Sequence, residues 1–411
     1  MNEKASGDGT RVLIAGGGVA GLEALLALHD LAGDRAELTL VAPQPDFIYK
    51  PLLVEEPFGL EPAERHELAP LAEEKGARFV RQAVRAVRPE DHLVELDDGS
   101  NLEYDHLIVA AGGRFKPALE GATTFPSGGA PYRADEVLDR AASRDHRMAF
   151  VVPHGVTWSL PLYEIALMTQ RRAVERGDEV KIAIVTPEPA PLAVFGPQAS
   201  AAIEELLRAR RIELFPSSTV RQIDESGIIL SPGDRVLGPA EVVALPVMEG
   251  PAIEGLPADE SGFIPIDDHA RVKGVEGVYA AGDGTNFPIK QGGIATQQAD
   301  AAAEDVAHRL GAAAAPEPFR PILRGKLLTG DESLHLRADV AGGGGEGETS
   351  PDVLWWPPHK VSARYLAPFL YHGEVHQEPE PPRRSLDVEV ALPKEWHEEP
   401  MALDPYEPRG R

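Results

Sequence analysis

Three glycines near the start of the chain have the spacing of a phosphate-binding loop. Gly16, Gly18 and Gly21 form G-x-G-x-x-G directly after the apolar sequence RVLIA and before a helix-forming stretch. The first glycine allows a tight turn, the second lets the backbone approach a pyrophosphate, and the third lets helix and strand pack closely. Free N–H groups at the helix N-terminus attract the phosphates. The motif predicts a dinucleotide site that includes Val19 and Ala20.

The sequence lacks the acidic residue that usually holds the ribose of a dinucleotide. This residue is expected at the end of the second strand, about 20 residues beyond the glycines. The chain has Ala42 and Pro43 at that point, followed by Gln44 and Asp46. Both polar residues are candidates for the ribose contact. The phosphate contact is therefore predicted, and the ribose contact stays open.

Strands alternate with helices around these residues. The segments 11–15, 18–31 and 37–41 form one strand–helix–strand unit. A second unit is formed by MAFVVP, a helix from Pro161 to Arg176, and VKIAIVT. This alternation predicts an α/β fold with two Rossmann-like units of parallel sheet, covering helices and a C-terminal extension.

Composition excludes several classes of function. The chain has 66 acidic and 40 basic residues, a net charge of −26, which argues against nucleic acid and strong attraction to anionic lipid. It has no cysteine, so disulfides, thiolate nucleophiles and Cys-ligated metals are excluded. No metal site is predicted. The polar N-terminus does not resemble a signal peptide, and no apolar run reaches the roughly 18 residues of a membrane span. A cytoplasmic location is expected.

Two later segments extend the pattern that the glycine loop begins. LEYDHLIVAAGG (102–113) and GVYAAGDGTNFPIKQGG (277–293) follow it in order. Together the three motifs resemble the FAD-dependent pyridine nucleotide–disulfide oxidoreductase superfamily, over residues 11 to 310. The resemblance implies non-covalently bound FAD as the cofactor.

The resemblance also implies roles for single residues. Gly112 is expected near the flavin-binding crossover and Asp283 on the ribityl chain. Lys290 and Gln291 are expected at the pyrimidine edge of the flavin, where a cation and a helix N-terminus would stabilise the reduced form. The other residues of the predicted FAD site are Ala42, Gln44, Lys50, Pro51, Val84, Ala110, Ala111 and Gly282.

The domain boundaries follow from this assignment. The expected parts of the chain are a disordered N-terminus (1–10), a discontinuous FAD-binding domain (11–117 and 250–312), a second Rossmann-like domain (118–249), a C-terminal extension (313–376) and a Pro/Glu-rich tail (377–411).

Three short sequences indicate a branch of the superfamily. PDFIYKPLL, LPLYEIA and VTPEP resemble the sulfide:quinone oxidoreductases and flavocytochrome c sulfide dehydrogenases. In that branch a catalytic cysteine stands shortly before the Tyr–Glu pair. This chain has Trp158 at the matching position, so sulfide oxidation through a cysteine persulfide is excluded.

Glu164 is the main candidate for acid–base chemistry, with Lys290 as the predicted cation beside the flavin. Glu164 lies early in a helix that faces the flavin in the resembled proteins, where a carboxylate can shuttle a proton. The alternative is a glutamate that caps this helix. His154 is a candidate proton relay or an exposed histidine. Trp158 is expected to stack on or shield the flavin, or to be a hydrophobic plug between domains.

Three functions are compatible with these residues. The preferred one is an FAD-dependent oxidoreductase between a small-molecule donor and a quinone-like or other acceptor, without cysteine chemistry. The second is an NAD(P)H:acceptor oxidoreductase similar to type II NADH dehydrogenases, with Glu188 on the ribose. The missing glycines in the loop 153–161 weigh against it. The third is a flavin-binding module with little turnover.

Two segments contain candidate residues for binding the electron acceptor and for contacts with a membrane or a second subunit. The amides of Gln291, Gln297 and Gln298 are candidates for a quinone carbonyl, or they form a polar helix face. The aromatic segment 351–372, which contains Lys360 and Arg364, is a candidate for peripheral membrane contact. Packing on the FAD domain or on a second subunit is the favoured alternative. Membrane contact and a homodimer both stay open.

Overall fold

The structure is a computed structural model. It describes residues 9–60, 62–126, 132–156, 158–319, 321–330, 335–338, 347–350, 359–371 and 385–391. Most of the predicted disordered N-terminus and of the Pro/Glu-rich tail lies outside the described residues, as do Trp355 and Trp356. None of the described helices is long and apolar enough to span a membrane.

The first part of the chain contains the glycine loop and a hairpin. The strand β1 ends just before the loop and the helix α1 begins just after it. The strands β7 and β8 pair antiparallel, and the sequence DDGS forms the turn between them. The elements are β1 (Thr10–Ala15), α1 (Val19–Ala32), β2 (Ala36–Val41), β3 (Asp46–Ile48), β4 (Arg65–Glu67), α2 (Leu68–Glu74), β5 (Arg78–Val80), β6 (Val84–Arg88), β7 (Leu93–Leu96), β8 (Asn101–Glu103), β9 (His106–Val109) and β10 (Arg114–Lys116).

The middle of the chain forms the second unit. Its helix α4 ends at Gly177, whose left-handed φ of 75° suits a residue without a Cβ. The elements are β11 (Thr123–Thr124), α3 (Ala134–Ala142), β12 (Arg147–Val151), α4 (Leu160–Arg176), β13 (Lys181–Val185), α5 (Pro197–Ala209), β14 (Glu213–Phe215), β15 (Thr219–Asp224), β16 (Gly227–Ser231), β17 (Val236–Leu237), β18 (Glu241–Ala244) and β19 (Val247–Glu249).

The last part of the chain adds one strand, β20, to the sheet of the first unit and then forms the C-terminal elements. A strand from the predicted tail, β24, pairs antiparallel with β21 of the predicted extension along seven residue pairs. The elements are β20 (Val278–Ala280), α6 (Gly292–Arg309), β21 (Ile322–Leu328), β22 (His335–Ala338), β23 (Gly347–Ser350), α7 (Leu366–Tyr371) and β24 (Ser385–Ala391).

Two five-stranded parallel sheets organise these elements. The first has the order β20–β9–β1–β2–β5, and the second has the order β11–β18–β12–β13–β14. The central strands β1, β9, β12 and β18 are short and mostly buried, as expected for parallel sheets covered by helices. The helices α1 and α6 pack on each other beside the first sheet. The predicted α/β class with two Rossmann-like units is confirmed.

The α6 helix is fastened to the first unit by one buried carboxylate. The side chain of Asp305 is 1% exposed. It accepts hydrogen bonds from Arg271 (2.9 and 2.5 Å), from the Tyr279 hydroxyl (2.6 Å) and from Arg309 (3.1 Å). Burial by itself raises the pKa of Asp305, but these donors outweigh burial and hold the pKa well below its usual range.

Replacing Asp305 with asparagine is therefore expected to lower the free energy of unfolding by about 3 kcal/mol, because Arg271, Arg309 and Tyr279 lose the buried carboxylate that they share. Urea denaturation at neutral pH measures this loss. An aspartate with a depressed native pKa stabilises the fold above its unfolded pKa of about 3.9 and loses that contribution as the pH falls further. The difference in the free energy of unfolding between the wild-type and Asp305→Asn proteins should therefore become smaller at acidic pH. Glu304→Gln, which removes a more exposed ion pair on the same helix, should cost at most about 1 kcal/mol.

Candidate functional site

A cavity of about 970 Å³ is lined by residues that follow strands of both sheets. From the first sheet, Gly18 follows β1, Gly112 follows β9, and Asp283 follows β20. From the second sheet, Phe125 follows β11 and Leu245 follows β18. Open parallel sheets bind ligands at the carboxyl ends of their strands, so this cavity has the position of a ligand site.

The glycine loop forms one end of the cavity. A Cβ on Gly16, whose φ is 132°, would lie 2.1 Å from the carbonyl oxygen of Ala110. A Cβ on Gly21 would lie 1.8 Å from the carbonyl oxygen of Gly16. The turn and the close helix–strand packing therefore require these two glycines. Gly18 differs, because a Cβ there would meet no atom within 4 Å. The loop leaves open space beside the N-terminus of α1, where a phosphate group would fit.

Asp283 and Lys290 place opposite charges in the cavity wall. Asp283 accepts no hydrogen bond from any described residue, and burial raises the pKa of its carboxyl against the opposing effect of Lys290 and Lys50. The Lys290 ammonium donates to the carbonyl of Thr285 and lies 3.6 Å from the ring centroid of Phe263. Burial lowers the pKa of Lys290 to about 8, and Asp283 partly offsets this effect. A half-buried carboxylate without a hydrogen-bond donor has acceptor capacity left for the hydroxyls of a ligand.

The amides near the start of α6 are bonded within the protein. Gln291 lines the cavity, but its side chain caps α6 by accepting from Ile294 N (2.9 Å) and donates to the carbonyl of Arg324 (3.0 Å). Gln297 is bonded to Ile322 and Gly293. Gln298 accepts from Gly282 N at 2.8 Å. The amide nitrogen of Gln298 is buried and has no partner among the described residues. Neither Gln297 nor Gln298 lines the cavity, so the hypothesis that they bind a quinone carbonyl there is not supported.

The other predicted FAD residues divide into two groups. Those that line the cavity are Val19, Ala20, Lys50, Pro51, Ala110 and Gly282. Those that do not line it are Ala42, Gln44, Val84 and Ala111. Ala42 is fully buried behind the glycine loop, Val84 is half-buried, and Gln44 is exposed. The contact to an adenosine ribose therefore stays a prediction.

Glu164 is fully buried and is paired with a lysine from the C-terminal region. Its carboxylate accepts from Leu328 N at 2.8 Å and from the Lys360 ammonium at 2.6 Å. Burial raises the pKa of Glu164 to about 7, although Lys360 opposes the rise. The alternative that Glu164 caps its own helix is wrong, because its bonds go to β21 and to Lys360.

Lys360 is the residue that sequence reasoning missed. The sequence placed it in a segment with two alternatives, membrane contact or the favoured packing on the FAD domain or a second subunit, and gave it no role in the cavity; its side chain is 9% exposed. It lines the cavity and also donates to the carbonyl of Pro51 at 3.0 Å. A buried glutamate needs a cationic partner, and this need was the one feature that could have indicated a lysine beside Glu164. It does not identify which lysine of the chain is the partner.

Trp158 and His154 occupy different environments. Trp158 lines the cavity, and its ring packs edge-on against Phe195 with 5.6 Å between centroids. His154 lies in an exposed turn and does not line the cavity. A contribution of His154 to chemistry inside the cavity therefore has no geometric support.

Glu188, the predicted ribose contact of the NAD(P)H alternative, is bonded to the protein. One oxygen accepts from the Ser159 hydroxyl at 2.9 Å. The other accepts from the hydroxyls of Tyr163 (3.0 Å) and Thr186 (2.9 Å). Burial raises the pKa of Glu188, and these hydroxyls oppose the rise.

Two Rossmann-like units that share one cavity at the carboxyl ends of their sheets define a two-domain nucleotide-binding protein of the oxidoreductase class. The family described as pyridine nucleotide-disulphide oxidoreductase matches residues 10–303. The chain belongs to this family and is an oxidoreductase.

Individual relatives have different activities. The chain is 25% identical to a sulfide-quinone reductase of Aquifex aeolicus over 61% of each protein. It is 27% identical to an NADH dehydrogenase-like protein of Mycobacterium tuberculosis over 67% of this chain and 72% of that protein. The solved sulfide:quinone oxidoreductase from Aquifex aeolicus has a TM-score of 0.68 at 21% identity, covering 77% of this chain and 81% of the other. This last similarity supports the fold.

Proposed function

We propose that the protein is an FAD-dependent oxidoreductase that passes electrons from a small-molecule donor to a quinone or similar acceptor without cysteine chemistry. One observation carries the proposal. A single cavity joins the glycine loop, the Asp283–Lys290 charges and the Lys360–Glu164 pair. A nucleotide site, a redox-tuning cation and a proton-holding pair therefore meet in one place. A quinone acceptor is named by the sulfide-quinone reductase relative.

The residues present fit a non-covalently bound FAD. Gly18 and the α1 N-terminus would hold its pyrophosphate, and Asp283 would accept from hydroxyls of its ribityl chain. When bound, FAD supplies two-electron redox chemistry that no side chain of this protein can provide.

Lys360 and Glu164 are suited to hold and deliver protons. Lys360 faces the cavity, and Glu164 lies behind it without lining the cavity. With a pKa of about 7, Glu164 binds and releases a proton near neutral pH. Reduction of a quinone to a quinol consumes two protons, and a protonated Glu164 can replace a proton that Lys360 donates. Glu164 thus acts through Lys360.

The NAD(P)H:acceptor alternative is favoured by the NADH dehydrogenase-like relative. The engaged carboxylate of Glu188 and the loop without its glycines weigh against it. A flavin-binding module with little turnover is the third candidate. Nothing in the cavity favours it over an enzyme.

Anaerobic mixing of the purified holoenzyme with each donor tests the proposal. NADH, NADPH, sulfide and a quinol are added in turn while the visible flavin absorbance is recorded. Fast bleaching by NADH or NADPH would support the alternative and contradict the preferred function. Bleaching by none of them, in a protein whose flavin dithionite can reduce, would support the flavin-binding module. A correctly folded protein without FAD would contradict the whole proposal.

Replacing Lys290 with methionine is expected to lower the midpoint potential of the bound flavin by about 30 mV or more, equivalent to about 1.4 kcal/mol for two electrons. The reason is that reduction adds negative charge, which a buried cation in the cavity wall stabilises. Equilibrium redox titration against a reference dye measures the shift. Lys273→Met, which removes an exposed lysine outside the cavity, should leave the potential unchanged.

A further inference from the structure

The second unit contributes an apolar wall to the cavity. Among the residues that the structure describes, every one from positions 118–249 that lines the cavity is apolar or a glycine, and the charged lining residues come from elsewhere in the chain. Phe125 and Pro126 follow β11, Val156 and Trp158 follow β12, and Leu245 and Pro246 follow β18. These three strands are neighbours in the second sheet. Their side chains therefore form one continuous surface at the carboxyl edge of that sheet.

The backbone at this edge offers few donors to a charged ligand. Phe125 N donates to the carbonyl of Ala244 at 2.9 Å, and Leu245 N donates to the carbonyl of Val151 at 3.2 Å. Pro126 and Pro246 have no N–H group. A dinucleotide binds through free N–H groups that point at its phosphates. At these four positions the backbone N–H group is either absent or already hydrogen-bonded to a neighbouring strand, so it cannot donate to a phosphate.

The hydroxyls at the N-terminal end of α4 are already engaged within the protein. Ser159, the residue that precedes α4, donates to Glu188, and Tyr163 in the first turn of α4 donates to the same carboxyl group. The N-terminal end of a helix attracts phosphate groups in dinucleotide-binding folds. Here Glu188 occupies the hydroxyl donors beside that end, so they are not free to donate to a phosphate.

We propose that this wall binds an uncharged, apolar organic substrate with an aromatic or quinoid ring, and that it does not bind the phosphates of a dinucleotide. This inference rests on the proposed function, because it defines the substrate of the same cavity. Pockets lined by apolar and aromatic side chains favour such molecules. Trp158, fixed edge-on by Phe195, provides an aromatic surface for ring packing.

Calorimetric titration of the oxidised holoenzyme with two redox-inactive probes tests the inference. 2-Naphthol and naphthalene-2-sulfonate share one ring system, and only the second is charged at neutral pH. We expect 2-naphthol to bind at least about tenfold more tightly at the wall, since its described residues provide no cation for the sulfonate and an unpaired anion is costly to bury. Trp158→Ala should weaken the binding of 2-naphthol by about tenfold, since aromatic contacts are lost.

Val156→Lys sharpens the test by placing a cation in the wall. This substitution should weaken the binding of 2-naphthol by about tenfold and strengthen the binding of naphthalene-2-sulfonate, so that the protein prefers the charged probe. Val174→Lys is the matched control, because Val174 is 65% exposed on α4 and does not line the cavity. It should change neither affinity.

Two results would contradict the inference if the wild-type protein has normal FAD content and reduces a quinone normally. The first is equal binding of the two probes, and the second is an unchanged preference in the Val156→Lys protein. Displacement of 2-naphthol by NADH would also contradict it, since it would place a dinucleotide at the wall. Loss of the proposed function would instead appear as a folded protein that lacks FAD or does not reduce a quinone. The same preparation is therefore assayed for both properties.

Discussion

The Gly18→Asp protein is expected to fold normally and to be purified without FAD. Gly18 has a φ of −90°, which any residue adopts, and a Cβ there meets no atom within 4 Å. The substitution therefore imposes no strain on the fold. It does place a carboxylate in the space proposed for the pyrophosphate, and juxtaposed like charges cost several kcal/mol. FAD affinity should fall by about 100-fold or more.

Two glycine variants control this result. Gly238→Asp makes the same chemical change outside the cavity, where a Cβ would come no closer than 3.8 Å to another residue, and it should keep its FAD. Gly21→Asp should instead destabilise the fold, because its Cβ would lie 1.8 Å from a backbone oxygen. The measurements are flavin absorbance per protein and urea denaturation. A folded Gly18→Asp protein with full FAD content would contradict the placement of the pyrophosphate.

Glu164→Gln is expected to slow quinone reduction by about 100-fold or more while FAD is retained, because general acid–base groups typically contribute 10²- to 10⁴-fold. The rate is measured by mixing the dithionite-reduced holoenzyme with a water-soluble quinone in a stopped-flow instrument. This measurement requires no knowledge of the natural donor.

The pH dependence separates proton delivery from a structural role of Glu164. Glu164 loses its proton as the pH rises through about 7, so the wild-type rate should fall through that range. The Glu164→Gln protein has no such group and should show a flat profile there. Lys360→Met should also be slow, because it removes the group that faces the cavity.

Glu241→Gln is the matched control. Glu241 is also a buried carboxylate, paired with Arg140 at 2.9 Å, but it does not line the cavity or contact its lysines. This variant should keep both the rate and its pH dependence. If Glu164→Gln had the wild-type rate and profile, the proton-delivery role of the pair would be wrong.

The local patterns of the sequence were sufficient for the fold. Gly16 and Gly21 are required by contacts with residues close by in the chain or on the adjacent strand. Gly177 ends α4 where the sequence predicts it. The alternation of buried strands with helices predicted two parallel sheets because a parallel pair needs a crossover helix. The cavity residues at the ends of β1, β9 and β20 follow from this topology.

The chemistry of the site depended on long-range contacts. Glu164 and Lys360 are separated by 196 positions, and no periodicity connects them. Glu188 was predicted on a ribose, but three hydroxyls from the protein surround it. Gln297 and Gln298 were candidates for a substrate, but their bonds join α6 to β21 and to the glycine after β20.

The sequence by itself determined the family, the glycine loop and the absence of thiol chemistry, since each depends on residue type and short spacing. Only the tertiary structure decided which polar groups are free and which are already paired. The reason is that a buried polar side chain needs a partner, and the packing of distant segments determines that partner. Asp283 is left without a donor among the described residues, whereas Glu188 is engaged, and this difference leaves Asp283 as the candidate for a ligand contact while Glu188 is bonded within the fold.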